Sequence, residues 1–451
     1  MKHGGLNRVS RRILGLHGVP CAEEADPAAG RLQATHAVLV KDIAALAVCE
    51  RARPAWIAGG AVGGTTMGDW AEQEMDRLPS HLRRIARLAV RACYALRMEE
   101  AVVWLERKGG QPAVADIADP RRAGESLAAL WQKRVSQASR AEVSPHGALQ
   151  GQEPGPEANS ARHAHPAARA NPGASAGSAS VPEVMLGADP EFVLAGEDGR
   201  ILVAGRWLPR EGTVGCDRVW VRERWLYPLA ELRPLPAAEP EALLRGIRSA
   251  LARAERMIMG RAASWHAGGL PHPKLPLGGH VHFSGLPCTG ELLRVLDNYL
   301  ALPLMMVEDE ASLRRRPGFG FLGDHRFKPH GGFEYRTLPS WLVHPQVAAG
   351  VLALAKIIAM HHGMLRLRPL NDVERQRQFY MGDKAALAAE VRRIWDDLVR
   401  TPGYARYRRM AEPLRRMSLA AKSWDSGKDL REVWKIGGGP QKSSASVGFM
   451  V

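Results

Sequence analysis

The sequence is poor in cysteine and aromatic residues and has no long apolar run. The five cysteines are an odd number and no Cys-x-x-Cys pair occurs, so we expect neither a disulfide framework nor a zinc ribbon, and reduced thiols in a cytoplasmic protein fit better. Because no run of about 18 apolar residues is present, no membrane span is predicted. The apolar stretch after Arg12 is short and acidic residues follow it, which also argues against a targeting peptide.

Positive charge is the most unusual feature of the composition. The net charge is +15, and arginine supplies 50 of the 62 basic residues. The excess is +5 over residues 1–182, +4 over 183–370 and +6 over 371–451. A basic balance can indicate a nucleic-acid partner, but such a surface concentrates its charge in one patch or stripe. The even spread therefore argues against nucleic acid and for a general bias toward arginine.

The length predicts two to three domains, and composition marks their boundaries. Residues 154–181 are dense in Ala, Pro, Gly and Ser and almost lack large apolar side chains, which is typical of a disordered linker. Apolar residues at helical spacing over 82–107 predict one amphipathic helix. The predicted parts are a mainly helical N-terminal region of unknown role (1–135), the linker (136–182), a core (183–370) and a helical C-terminal extension (371–451).

The core predicts an α+β fold, in which an antiparallel or mixed sheet carries helices on one face. Asp198-Gly199 marks a hairpin turn, Pro190 is expected to interrupt its strand, and Pro240 opens a helix. The predicted strands are 184–194, 201–203, 219–221, 225–232, 280–284 and 332–338, and the predicted helices are 240–259, 289–308, 345–365 and two within 384–421.

Carboxylates recur at a spacing of two on the first strands of this core. Asp189 and Glu191 point to one face of an extended strand, where two carboxylates repel each other unless a cation or proton lies between them. Glu231 and Arg233 share a face in the same way, at a strand end marked by a proline, and Asp217 precedes them. Each pair alone is equally consistent with a solvated strand edge or a surface ion pair.

Histidine and arginine motifs follow on two later strands. His280 and His282 put two imidazoles on one face, and the glycines before them are expected to leave room for a ligand. Glu334 and Arg336 repeat the Glu-x-Arg pattern, with Arg326 and Lys328 on the approach. The arginine run 314–316, by contrast, has the pattern of a solvated loop.

Taken together, the four clusters predict one sheet face that binds hard cations and phosphate. Carboxylates and imidazole suit Mg²⁺ or Mn²⁺, and arginines bind phosphate bidentately. ATP chemistry uses both. Two alternatives remain open at this point: a metallohydrolase that uses the His-x-His pair, and a basic nucleic-acid-binding or phage-assembly protein in which this fold has lost its activity.

The motif set resembles the glutamine synthetase-like carboxylate–amine ligases, and most of all the phage-associated type 2 COOH–NH₂ ligases, or amidoligases. GADPEF, ELRP, GGHVHFS and the run RR…GDHRFKP…FEYRTLPSW stand in that family's order over about residues 184–365. The resemblance implies an antiparallel sheet as the floor of the site, ATP with Mg²⁺ or Mn²⁺ as cofactors, and a carboxylate and an amine or ammonia as substrates. Asp189 departs from the Glu-x-Glu that is usual in the wider superfamily.

The resemblance also implies a role for each motif residue. It implies metal binding by Asp189, Glu191, Glu231, His280 and Glu334, nucleotide or substrate binding by Arg326, Lys328, His282, Asp217 and Arg336, and catalysis by Arg336, Arg233 and Glu334. The implied reaction forms an acyl phosphate from ATP and a carboxylate, which the amine then converts to an amide.

Overall fold

The computed structural model describes residues 6–23, 34–51, 66–67, 70–142, 183–221, 223–328 and 331–437. These residues form two antiparallel sheets, one on each side of the predicted linker. Residues 143–182 of that linker lie outside the described residues, whereas residues 136–142 are the last turns of a helix.

The N-terminal sheet has six strands in the order β3-β4-β2-β1-β5-β6. Helices pack on it, and apolar side chains fill both of its faces. Its elements are α1 (Arg8–Leu16), β1 (His36–Lys41), β2 (Ala44–Arg51), β3 (Thr66–Met67), β4 (Trp70–Glu72), α2 (Ser80–Leu96), β5 (Glu100–Lys108), β6 (Gln111–Ala118) and α3 (Glu125–Glu142).

The expectation of a mainly helical N-terminal region is wrong. The predicted helix over 82–107 ends at Leu96, and Arg97 takes a left-handed conformation with φ 58°. The following residues 101–105 are wholly apolar and buried. A continuous apolar run without helical gaps suits a strand that is covered on both faces, and β5 lies between β1 and β6 in the sheet.

The core sheet has eight strands, and every strand pair in it is antiparallel. Six of them follow the order β13-β14-β12-β7-β10-β9, and β8 and β11 pair with β7. The strands are β7 (Met185–Ala195), β8 (Ile201–Leu202), β9 (Val214–Val221), β10 (Arg224–Leu232), β11 (Ser264–His266), β12 (Gly279–Ser284), β13 (His325–Phe327) and β14 (Phe333–Tyr335).

Strand β7 is the centre of this sheet and runs unbroken through Pro190, contrary to the expected interruption. Pro190 lies where β7 passes from pairing with β12 to pairing with β10 and β11. Side chains alternate along β7, so that Phe192 and Leu194 enter the large apolar core, while Asp189 and Glu191 take the opposite face.

Helices cover the apolar face of the core sheet. Two of them, α4 and α8, pack on each other and on β7. The core helices are α4 (Pro240–Ile258), α5 (Gly290–Leu296), α6 (Leu302–Met305), α7 (Glu310–Leu313), α8 (Pro345–His361), α9 (Val373–Met381), α10 (Lys384–Val399), α11 (Pro402–Leu419) and α12 (Leu430–Trp434), and a π-helical segment, Asp297–Ala301, joins α5 to α6. No helix among the described residues is long and apolar enough to cross a membrane.

Candidate functional site

Four neighbouring strands bring the predicted residues to one face of the core sheet. Pairing places His280 opposite Asp189, and Glu231 opposite Glu191. His282 on β12 pairs with Glu334 on β14. Because side chains at matching positions of paired strands point to the same face, clusters that are up to 145 positions apart in the chain, from Asp189 to Glu334, meet in one place.

His280 bridges Asp189 and Glu334, and His282 contacts Asp189. His280 Nδ1 lies 3.0 Å from Asp189 Oδ1 and 3.1 Å from Glu334 Oε1. His282 Nε2 lies 2.9 Å from Asp189 Oδ2. All of these groups except His282 are buried, so the imidazoles and carboxylates form one strongly interacting cluster.

Basic side chains also gather around Glu334. Lys328 Nζ lies 2.6 Å from Glu334 Oε2, and Arg336 Nε lies 3.1 Å from Glu334 Oε1. Arg326 is more distant, at 4.0 Å, and its side chain is half exposed. Glu334 is therefore shared between the imidazole cluster and a basic rim.

A second group of carboxylates lies on β7, β9 and β10. Glu191 Oε2 accepts a hydrogen bond from the Gly278 backbone N–H at 2.7 Å. Glu231 is buried and forms an ion pair with Arg233, whose Nη1 also donates to the Arg210 carbonyl at 3.0 Å. Asp217 is half-buried on the edge strand β9, where it is paired with Leu229.

The pKa values divide these acids into two kinds. Burial acts to raise the pKa of Asp189, but His280 and His282 outweigh it and hold that pKa well below its usual range. Burial also acts to raise the pKa of Glu334, but His280 and the basic rim outweigh it and hold that pKa below its usual range. Burial raises the pKa of Glu191 and of Glu231, and neighbouring carboxylates add to the shift. In the second group, the neighbouring positive charge of Arg233 and His280 does not offset burial.

The glycines before the histidines do not leave room for a ligand, contrary to the expectation from the sequence. A Cβ on Gly278 would lie 2.3 Å from Nε2 of His280, and a Cβ on Gly279 would lie 2.5 Å from the Pro339 carbonyl oxygen. The missing side chains make space for the imidazole and for the neighbouring chain segment. These glycines therefore position His280 and do not open the site.

The cluster has the composition and spacing of a divalent cation site. Ligand atoms of Asp189, His282 and Glu334 all lie within 4.8 Å of one another. Nε2 of His282 and Oε2 of Glu334 are buried without a directional hydrogen bond. Oxygen ligands with one imidazole suit Mn²⁺ or Mg²⁺, so the residues present fit such an ion. His282 belongs to this trio, whereas the motif analysis placed it near nucleotide and placed His280 on the metal.

Sequence reasoning missed Arg315 and Arg316. Both are buried, contrary to the solvated loop expected of this run. Arg315 Nη1 donates to the Thr337 carbonyl at 3.1 Å, and Arg316 forms a fully buried ion pair with Glu308. Burial lowers the pKa of Arg315 to about 10. No local signal marks this role, because the partners lie up to 22 positions away in the chain.

An antiparallel sheet with carboxylates, imidazoles and a basic rim on one face defines a site suited to a cation and an anionic substrate. Its class is given more closely by comparison with known families. The chain belongs to the family described as phage phiEco32-like COOH.NH2 ligase-type 2, whose model matches residues 186–436. The match begins in β7 and runs through α12, so it includes helices beyond the predicted core of 183–370.

Two further comparisons add little. No curated protein matches the sequence. Among solved structures, a bifunctional glutathione synthetase from Pasteurella multocida is similar over 56% of this chain, with 11% identity and a TM-score of 0.34. This chain spans about half (48%) of that structure's length. A likeness at this level supports no argument about fold or activity.

Proposed function

We propose that the chain is an ATP-dependent ligase that joins a carboxylate to an amine or ammonia through an acyl phosphate. The observation that carries the proposal is the one sheet face on which four neighbouring strands gather carboxylates and imidazoles beside arginine and lysine. Phosphoryl transfer requires positioning and charge stabilisation above all. Membership of a carboxylate–amine ligase family supports an amide as the product.

The proposed reaction has two steps. A carboxylate oxygen of the substrate attacks the γ-phosphorus of ATP, the bond to the β-phosphate oxygen breaks, and ADP leaves. The amine nitrogen then attacks the acyl carbon, the C–O bond to phosphate breaks, and the nitrogen loses a proton. The products are an amide, ADP, phosphate and a proton, so atoms and charges balance.

The chain's own residues have separate roles in this proposal. Asp189, Glu334 and His282 would hold Mg²⁺ or Mn²⁺, which supplies positive charge against the phosphate oxygens. Arg336 and Arg233, on either side of the carboxylates, would bind the transferred phosphate bidentately.

The remaining candidates extend the same arrangement outward. Lys328 and Arg326 would bind the outer phosphates, since they approach Glu334 from strand β13 and its end. Glu191 and Glu231 would hold a second cation, which would offset the burial and the like charges that raise the pKa of both groups. Asp217 is suited to the amine, because it is an acidic group at the rim of this face. The glutamine synthetase-like topology is part of the proposal.

An ADP-release assay with Mg²⁺ and a panel of carboxylates and amines tests the proposal. Glu334→Gln and Glu191→Gln each keep side-chain size and remove one charge. We expect each to lower turnover at least about 100-fold, as loss of one transition-state contact does elsewhere. Glu374→Gln is the matched control, because Glu374 is an exposed acid paired with Arg377 outside the site.

Three results would contradict the proposal. Unchanged turnover in both site variants would remove the roles of these carboxylates. Hydrolysis that needs the metal but no ATP would favour a metallohydrolase instead. Absence of ADP release by the wild type with every substrate pair would count against the ligase reaction.

A further inference from the structure

The N-terminal domain contacts the segment that leads the basic residues into the site. We name residues 314–328 the site loop; it begins after α7 and ends with β13 and Lys328. Helix α2 lies against this loop. Arg91 Nη2 donates to the Pro317 carbonyl at 2.8 Å, and its guanidinium carbon lies 3.6 Å from the centre of the Phe321 ring. Arg91 therefore fixes two points of the site loop from outside the ligase core.

Tyr94, one turn further along α2, is connected to strand β14 through Asp297. Its hydroxyl donates to Asp297 Oδ2 at 2.6 Å. The same carboxylate accepts hydrogen bonds from Tyr335 Oη at 2.7 Å and from the Gly323 backbone N–H at 3.0 Å. Tyr335 is the last residue of β14 and lies between Glu334 and Arg336 in the sequence, so Asp297 connects the N-terminal domain, the site loop and β14.

Close packing supports the same connection. A Cβ on Gly323, which has φ 74°, would lie 2.3 Å from Cε1 of Tyr94, so the tyrosine ring lies directly on the loop backbone. The next residue, Asp324, accepts a hydrogen bond from the Arg336 backbone N–H at 2.8 Å. A shift of Tyr94 would therefore reach Arg336 through two adjacent residues of the loop.

His17, the residue after helix α1, makes a third contact with the site loop through the side chain of Tyr380. The Tyr380 hydroxyl oxygen accepts a hydrogen bond from the Leu322 backbone N–H at 3.0 Å and lies 3.2 Å from His17 Nδ1. Three side chains of the N-terminal domain thus converge on residues 317–324. These are long-range contacts, between residues more than 200 positions apart.

We infer that Arg91 and Tyr94 are positioning residues of the candidate site, and that the N-terminal domain holds the site loop where Arg326, Lys328 and Arg336 face Glu334. The contacts of Arg91 and Tyr94 are observed in the structure and do not depend on which reaction the site catalyses. The inference rests on the proposed function only for the task of those three basic groups, which is to bind the phosphates of ATP.

Hydrogen exchange of the full-length chain tests the inference without any ligand. We expect amides of residues 314–328 to exchange at least tenfold faster in Tyr94→Phe and in Arg91→Gln, while those of α10 and α11 stay unchanged. Arg84→Gln removes the same charge from an exposed position of α2. Tyr404→Phe removes a tyrosine hydroxyl that donates to Glu412 at 2.6 Å, far along the chain. Exchange in the site loop no faster than in these controls would overturn the inference.

Nucleotide affinity separates positioning from a merely structural role. With Mg²⁺ and the ATP analogue AMP-PNP as the probe, we expect Tyr94→Phe and Arg91→Gln to weaken binding at least fivefold at a temperature at which both variants are fully folded. Arg91→Lys, which keeps a donor for Pro317, should recover part of the loss. Faster exchange with unchanged affinity would overturn the positioning role. If the wild type does not bind AMP-PNP, the proposed function fails, and hydrogen exchange alone decides the inference.

Discussion

The two sheets of this chain use their faces differently. In the N-terminal sheet, successive residues of one strand enter two apolar clusters: Val38 and Val40 face α2, while Ala37 and Leu39 face the side of α3. In the core sheet, the face toward α4 and α8 is apolar, whereas the other face carries buried carboxylates and an imidazole beside a small apolar cluster that includes Val193 and Leu229.

The comparison bears on the role of the charged face. Burying an ionised group costs free energy unless it is paired. The N-terminal sheet, with six strands, packs apolar residues against both faces, so sheet formation by itself does not require such a face. The carboxylates of the core sheet are therefore best explained by ligand binding. Four substitutions test this contrast, from the largest expected effect on stability to the smallest.

Truncation inside the N-terminal sheet should cost the most. Trp104 is 2% exposed and belongs to the cluster on the α3 side. We expect Trp104→Ala to lower the free energy of unfolding by about 3–5 kcal/mol, as for other large-to-small changes in a core, measured by urea titration followed by circular dichroism. Trp104→Phe should recover most of the loss. A loss below about 1 kcal/mol would contradict tight packing of this face.

The contact between the two regions should weaken in acid. Burial, helped by Arg91 and Arg294, lowers the pKa of His17 from 6.5 to about 4 despite its bond to Gln376. The unfolded chain then binds a proton more readily than the folded one, so this stability is present above pH 6.5 and is lost as the pH falls toward 4. The full shift corresponds to about 3 kcal/mol.

Removal of the imidazole tests this pH dependence. In His17→Gln, stability should fall less between pH 6.5 and pH 4 than in the wild type, because only the wild type gains this proton on unfolding. Melting temperatures measured across that range for both proteins give the comparison. Parallel curves for the two proteins would show that His17 does not carry the effect.

Addition of one methyl group should disturb the charged face. Gly278→Ala places a Cβ against the His280 imidazole, so we expect a loss of about 1–3 kcal/mol, typical of overpacking, together with weaker nucleotide binding. Gly363→Ala is the control, because a Cβ there meets nothing within 4 Å. Equal stability and equal AMP-PNP affinity of the two variants would contradict the positioning role of this glycine.

Neutralising one buried acid should stabilise the fold slightly. Glu191→Gln keeps an acceptor for the Gly278 N–H and removes repulsion with Asp189 and Asp217. We expect a gain of about 1 kcal/mol in thermal or urea unfolding, on the scale of one hydrogen bond or weak ion pair, while ADP release is lost. A destabilised variant would mean that the charge supports the fold, and the contrast between the two sheets would fail.

Local signals account for the parts of the fold that the sequence predicts correctly. Pro240 opens α4, Asp198-Gly199 turns the chain from β7 into β8, and the two amphipathic helices within 384–421 are α10 and α11. Each of these elements depends on residues that are close to one another in the sequence. The same is true of the motif strands, whose spacing of two already puts each pair of functional side chains on one face.

Features that depend on contacts between distant residues could not be predicted from the sequence. The apolar run 101–105 after Arg97 is compatible with a buried helix or a buried strand, and its place between β1 and β6 is what makes it a central strand. Arg315 is buried and donates to the carbonyl of Thr337, which follows β14. The space at Gly278 is filled by an imidazole two residues later, which only the sheet geometry reveals.

The most direct test of the central claim is calorimetric titration of Mg²⁺ with AMP-PNP into the wild type and into Glu334→Gln. The account expects saturable binding by the wild type that disappears when Mg²⁺ is omitted, and at least tenfold weaker binding by the variant. Equal affinity of the two proteins, with or without Mg²⁺, would contradict a nucleotide and cation site on the charged face of the core sheet.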